Sequence, residues 1–340
     1  AGVAAWGEDA YVETKLHDPF NAGIMARAVK MFEPQINEFF DAIGTILREE
    51  SIFRGKAVTV EHQEGDPENG VPEGIHMSMI HVKTNPDIVL NDSTRDILDV
   101  LIASDLLETS KRIYLFTGDY GNGKTETALD TGVRARELGY SFMYVKSPDH
   151  LAEILLTAKK YLPALVFMED IDQVASGEDR SEEINEVLNT LDGTELKGHN
   201  VKVIVTTNHP DRLNQALRRP GRIDIVVKFE NPDDKSKKEI ITRILGKEKG
   251  FDTLDLDACV AMLPKAQGAF IAEIVKRVKQ YGNAKHGKKP APGVSDKLFK
   301  AACDSMIAHI EMMNAKVELK TDLEDAVGEL GRALHAGREN

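Results

Sequence analysis

The chain has 340 residues, and its 43 basic against 56 acidic side chains leave a formal net charge of -13, which argues against general affinity for nucleic acid or anionic lipid. Its two cysteines, Cys259 and Cys303, lie far apart without metal spacing, so neither a disulfide framework nor a zinc site is suggested and a reducing cytoplasm fits. No apolar run approaches the ~20 residues needed to cross a bilayer, and the opening Ala1-Gly2-Val3-Ala4-Ala5-Trp6 lacks the basic and apolar regions of a signal peptide.

Residues 23–50 show helical apolar spacing, with Pro34 suited to the first turn of a helix that presents Ile36, Phe39, Phe40, Ile43 and Leu47. Two strand-like runs follow, 57–62 and 75–82, separated by a polar stretch with Gly and Pro, which predicts a long-looped hairpin. Ser93 or Thr94 is placed to cap a helix carrying Ile97, Leu98, Leu101 and Ile102. From near Leu90 strand and helix alternate: strands at 112–117, 141–145, 164–168 and 201–206, and helices from Lys124 to Gly139 and over 149–161. Such alternation predicts an α/β core, a parallel sheet covered by helices on both faces. The polar segment 231–235 marks a boundary, beyond which 235–282 and 295–337 read as helices around a Lys-, Gly- and Pro-rich linker at 283–293. The expected division is therefore an N-terminal α+β region over 1–89, a nucleotide core over 90–230 and C-terminal helices over 231–340.

The run Gly118-Asp119-Tyr120-Gly121-Asn122-Gly123-Lys124-Thr125 follows a predicted strand and opens a predicted helix, the context that a Walker A phosphate loop needs. Its glycines let backbone N–H groups turn inward, and the helix N-terminus adds a favourable dipole. Lys124 is suited to the β and γ oxygens of a triphosphate and the Thr125 hydroxyl to magnesium, with Glu126 closing the expected ATP-binding segment. Leu165-Val166-Phe167-Met168 ends in Glu169-Asp170, so a buried strand delivers two carboxylates to the sheet edge where ligands bind. One carboxylate suits magnesium and the next the attacking water. By position Glu169 is the magnesium-associated residue and Asp170 the catalytic one.

With these motifs the run from Val203 through Asn208-His209-Pro210-Asp211, and the run Leu213 to Asp224, resemble the second region of homology of the AAA family of P-loop ATPases. The resemblance covers about 90–280. It implies that Asn208 is the sensor that helps position the lytic water, that Arg219 and Arg222 are fingers acting on a neighbouring subunit's site, and that the chain forms a homo-oligomer, a hexameric ring. It also implies a helix and turn at 184–193 and a lid helix from Gly268, where Ala272 matches the small residue the family carries in place of a sensor arginine. Most AAA proteins order the carboxylates Asp then Glu, whereas here Glu169 precedes Asp170. A similar inversion occurs in the family's mitochondrial translocase of the Rieske iron–sulfur protein.

The aromatic-Gly loop that substrate-threading members place after the second strand is not found between 145 and 164, where Tyr161 reads as a packed residue. Residues 175–183 suit either a second central loop or a solvated one. The basic cluster around Lys276 and Arg277 reads as a solvated face, and His76, His81, Met77 and Met79 as features of the hairpin. Three functions stay open: an ATP-driven remodeller whose first 89 residues recruit a protein partner, a slow nucleotide-dependent scaffold or switch, and a DNA-linked loader.

Overall fold

The computed structural model of the chain describes residues 2–5, 10–18, 21–28, 33–65, 73–85, 88–147, 150–175, 190, 196, 198–219, 221–245, 254–286 and 296–306. The chain divides into two compact units, 1–230 and 231–340. In the first, strands β1 (Gly2–Ala5), β2 (Ala10–Asp18) and β3 (Asn21–Ala28) form an antiparallel sheet ahead of helix α1 (Glu33–Glu50). The helix expected over 23–50 is thus shorter, because 21–28 pairs with β2 as a strand. Its signal was the period-two series Ala22, Ile24, Ala26 and Ala28, which a 3.6-residue template absorbs. Ile36, Phe39 and Ile43 of the expected stripe are partly buried; the side chains of Phe40 and Leu47 lie outside the described residues.

A seven-stranded sheet forms the rest of the unit, built from β4 (Ala57–Gln63), β5 (Gly74–Met79), β6 (Arg112–Thr117), β7 (Ser141–Val145), β8 (Ala164–Met168), β9 (Val201–Thr207) and β10 (Ile225–Lys228). Their order is β10-β6-β9-β8-β7-β4-β5, parallel throughout except for the antiparallel pairing of β4 with β5. The predicted hairpin therefore extends the parallel sheet, which reaches upstream of residue 90. Short strands with charged loops between them hide this, because a hairpin that pairs along β7 leaves no mark in local spacing. Strand β10 was not expected either, although Ile225-Val226-Val227 is a β-branched run.

Alternation along each central strand divides the core in two. Ile113, Leu115, Met143, Val145, Val166, Met168, Val203 and Val205 pack on one face with Leu151, Ile154, Leu155 and Ala158 of helix α4. Tyr114, Phe116, Phe142, Leu165, Phe167 and Ile204 pack on the other with Ala128 and Ala135 of α3 and with Ile102 and Leu106 after α2. Here α2 is Asp92–Ile97, continued by a π-helical stretch Leu98–Ile102, α3 is Lys124–Glu137 and α4 is Leu151–Ala158. Each fully buried side chain of this size contributes about 1.5–3 kcal/mol. Thr94 does not cap α2; Asn91 is the N-cap, and the buried Thr94 hydroxyl donates to Lys228 O at 3.0 Å. Lys202 of β9 is fully buried, and its ammonium donates to Glu108 O at 2.9 Å and to Ser110 O at 2.6 Å. Burial lowers its pKa.

The second unit contains helices Asp234–Leu245, Leu256–Ala261, Gly268–His286 and Asp296–Asp304. Asp255 caps the second of them, accepting from the N–H groups of Asp257 and Ala258. Ile240, Ile241, Cys259, Ile271, Ile274, Val275, Val278, Phe299 and Ala302 are buried, so each of these helices turns an apolar face inward. The expected linker at 283–293 begins inside the helix that ends at His286; residues 287–295, the chain beyond 306 and most of 176–195 lie outside the described residues.

Candidate nucleotide site

The parallel register brings three strand ends together. Thr117 of β6 is opposite Thr207 of β9, and Met168 of β8 is opposite Val205, so Gly118, Asn208 and the pair Glu169-Asp170 leave the sheet side by side. From β6 the chain turns through Gly118, Gly121 and Gly123 at φ 143°, 75° and 90°, and Gly123 is the N-cap of α3. Gly118 cannot be otherwise, because a Cβ there would lie 2.1 Å from Phe229 O, whose own N–H donates to Thr117 O at 2.7 Å. Gly118→Ala is expected to destabilise the protein by about 3 kcal/mol or more through clash and backbone strain. The measurement is a denaturation midpoint read beside nucleotide retention.

Lys124 starts α3 and its ammonium turns back onto the loop. It donates to Gly118 O at 2.6 Å, Asp119 O at 2.8 Å and Asn208 Oδ1 at 2.7 Å. Asn208 in turn donates through Nδ2 to Asp170 Oδ1 at 3.0 Å. One chain of hydrogen bonds therefore joins Lys124, Asn208 and Asp170. Burial pulls the Lys124 ammonium below the usual lysine range, opposed by the charges of Asp119, Asp170 and Glu169. Asp170 itself has φ 49°, and its N–H donates to the Thr206 hydroxyl at 3.2 Å, which fixes the turn after β8. Thr125 is partly buried in the first turn of α3, while Asp119, Tyr120, Gly121 and Glu126 are exposed. Tyr120 meets the His209 ring edge-on at 6.2 Å.

Glu169 has a partner that spacing did not reveal. The Tyr144 hydroxyl donates to Glu169 Oε1 at 3.0 Å, and the Tyr144 ring stacks on Phe167 at 5.3 Å. Tyr144 on β7 is register partner to Phe167, two residues before Glu169 on the same face of β8, so the contact follows from strand neighbours and not from local sequence. Burial, and then the charge and hydrogen bond of Glu169, push the Tyr144 hydroxyl up to about 12. An unfolded tyrosine ionises near pH ~10, so this contribution to stability is complete below that pH and is lost as pH rises toward the folded value. Tyr144→Phe is expected to shrink the fall in urea midpoint between pH ~9 and ~11.5 relative to the unchanged chain. An identical fall in both proteins would show that this hydroxyl carries none of it.

Arg219 and Arg222 lie elsewhere. Asp224, which opens the approach to β10, exchanges hydrogen bonds with Ile113 at the start of β6: its N–H donates to Ile113 O at 2.9 Å, and its Oδ2 accepts from Ile113 N at 2.8 Å. The phosphate loop leaves the far end of β6, about 15 Å away at ~3.3 Å per residue. The structure thus brings Lys124, Asn208, Asp170 and Glu169 together and sets the two arginines at the opposite edge of the same sheet. Arg222 Nη1 donates to Ala216 O at 2.8 Å, and Arg219 is exposed.

Among the smaller expectations, Tyr161 is buried, Met77 is buried and Met79 is exposed. Residues 176–183 and the turn at Leu191-Asp192-Gly193 fall outside the described residues. No helix among the described residues is long and apolar enough to cross a membrane.

A glycine-lined loop between a parallel strand and a helix, with carboxylates on a neighbouring strand end, defines a P-loop nucleotide-binding protein. The chain matches the family described as "ATPase family associated with various cellular activities (AAA)" over residues 114–231. It is 31% identical over 205 residues to a 26S proteasome regulatory subunit 6B homolog of Dictyostelium discoideum, covering 55% of this chain and 51% of that protein. It is 31% identical over 192 residues to Protein SAV of Sulfolobus acidocaldarius, covering 52% and 24% respectively. A probable 26S proteasome regulatory subunit 6B of Caenorhabditis elegans is 32% identical over 177 residues, covering 47% and 42%. The chain spans about half or less of the length of these relatives.

Proposed function

We propose that the chain binds and hydrolyses MgATP as a subunit of a homo-oligomeric ring, in the cytoplasm, and uses the cycle to remodel a protein partner. The observation that carries this reading is the hydrogen-bonded series Lys124–Asn208–Asp170, which places a cation, an amide and a carboxylate around one point at the edge of the sheet. Lys124 lies where it can move from loop carbonyls to the β and γ oxygens, and backbone N–H groups of a glycine loop at a helix N-terminus would supply the remaining donors. Asp170, oriented by Asn208, accepts a proton from or aligns the attacking water. The Thr125 hydroxyl and the Glu169 carboxylate, the latter steadied by Tyr144, are hard oxygen ligands and fit magnesium. When bound there the ion neutralises charge on the phosphates.

Because Arg219 and Arg222 sit at the opposite sheet edge, they cannot serve the phosphates of their own subunit. Their placement supports the reading in which each completes a neighbour's site, the head-to-tail contact from which rings are built. The similarity to proteasome regulatory subunits supports a protein rather than a nucleic-acid partner. A second reading rests on Asp170, a methylene shorter than the glutamate usual at this position: a slow nucleotide switch that controls assembly without threading peptide. Steady-state hydrolysis by the purified chain tests both. Turnover below about 0.01 per second, the range of GTPase switches, would remove the remodelling reading.

A further inference from the structure

Strands β4 and β7 run parallel and end at the same edge of the sheet, so the chain at the end of β4 faces the turn that leads from β7 into α4. His62 and His150 meet there, their rings stacked with centroids 3.7 Å apart and planes 15° from parallel. Glu153, in the first turn of α4, places Oε2 3.9 Å from His62 Nε2. Glu73, just before β5, places Oε1 3.9 Å from the same nitrogen. One ligating atom from each of His62, His150 and Glu153 lies within 4.8 Å of the other two.

We propose that His62, His150 and Glu153 form a binding site for a divalent transition metal of the zinc class, with Glu73 as a fourth donor. At 3.9 Å neither carboxylate is within hydrogen-bond range of His62 Nε2. A tetrahedral ion with bonds of about 2.0–2.2 Å holds its ligand atoms about 3.4 Å apart and meets each imidazole in its ring plane, so closure needs side-chain shifts of about 1–1.5 Å and rotation of the two rings out of their near-parallel stack. The donor set of two imidazoles and two carboxylates selects zinc, cobalt, nickel or copper over magnesium and calcium, which take oxygen. The site is separate from the nucleotide carboxylates. In the sheet order β4 is two steps from β8, which carries those carboxylates, about 10 Å at ~4.8 Å per step, and four steps from the glycine-loop strand β6, about 19 Å. An ion here ties the β4–β5 hairpin to the start of α4 and braces the turn after β7.

The test is calorimetric titration of the full chain, freed of metal by chelation, with zinc in the presence of excess magnesium. The expected result is zinc binding that weakens at least about ten-fold in His150→Ala and in Glu153→Gln. Both side chains are exposed and away from the cradle, so retention of MgATP by the two variants should match the unchanged chain and serves as the check on folding. A zinc-dependent rise in melting temperature should disappear in the same variants. Equal zinc affinity in all three proteins, or displacement of the zinc by millimolar magnesium, would overturn the proposal.

Discussion

Asp170→Asn is expected to lower steady-state ATP hydrolysis by about 10²–10⁴-fold, the range for loss of a positioned general base, while the protein still retains labelled nucleotide. The substitution is well suited to the site. Asp170 adopts φ 49°, a left-handed conformation that asparagine tolerates better than most residues, so the turn after β8 should persist. The side-chain oxygen that accepts from Asn208 also survives the change, which keeps the Lys124–Asn208 pair in place. What is lost is the negative charge and the basicity. Hydrolysis within ten-fold of the unchanged chain would mean that water is activated by another group, and Glu169 would be the first to examine.

Replacing Arg219 and Arg222 together by alanine is expected to lower hydrolysis by about 10³–10⁵-fold, the effect of removing fingers that offset charge on a transferring phosphoryl group. The distinctive measurement is a mixture. A subunit lacking the arginines keeps an intact cradle, and an Asp170→Asn subunit keeps intact arginines. Where the two adjoin in the right order, one complete site forms. Mixing two inactive proteins should therefore restore part of the activity, in proportion to the fraction of such junctions. A mixture as inactive as its components would show that the arginines do not act across a boundary between subunits. The exposed Arg219 and the loop-bound Arg222 differ in local support, so the single variants need not contribute equally.

The central strands were legible because their signals are local and strong. Strands 112–117 and 141–145 are rich in β-branched and aromatic residues and 164–168 is wholly apolar, and the structure starts and ends them at the expected residues. The helix from Lys124 stops two residues before Gly139, whose φ of 87° explains why a glycine stands there. What escaped is what depends on partners distant in sequence. Tyr144 looks like any aromatic strand residue until β7 is laid beside β8. The pairing of β4 with β7, which brings His62 to His150, crosses more than eighty positions of chain; its hydrogen bond from Phe142 N to Lys56 O has no local trace. Phe229 likewise follows a short strand with no motif, yet its carbonyl fixes the identity of Gly118.

Setting the arginines and the cradle at opposite ends of β6 and β10 gives the sheet a mechanical role in the proposed assembly. Each subunit becomes a strut of fixed length between two nucleotides, its own and the one it completes next door. Parallel hydrogen-bonded strands resist stretching, so a change at one end is handed to the other with little lost in between. The spacing between successive fuel sites is then written into the number of residues in a strand.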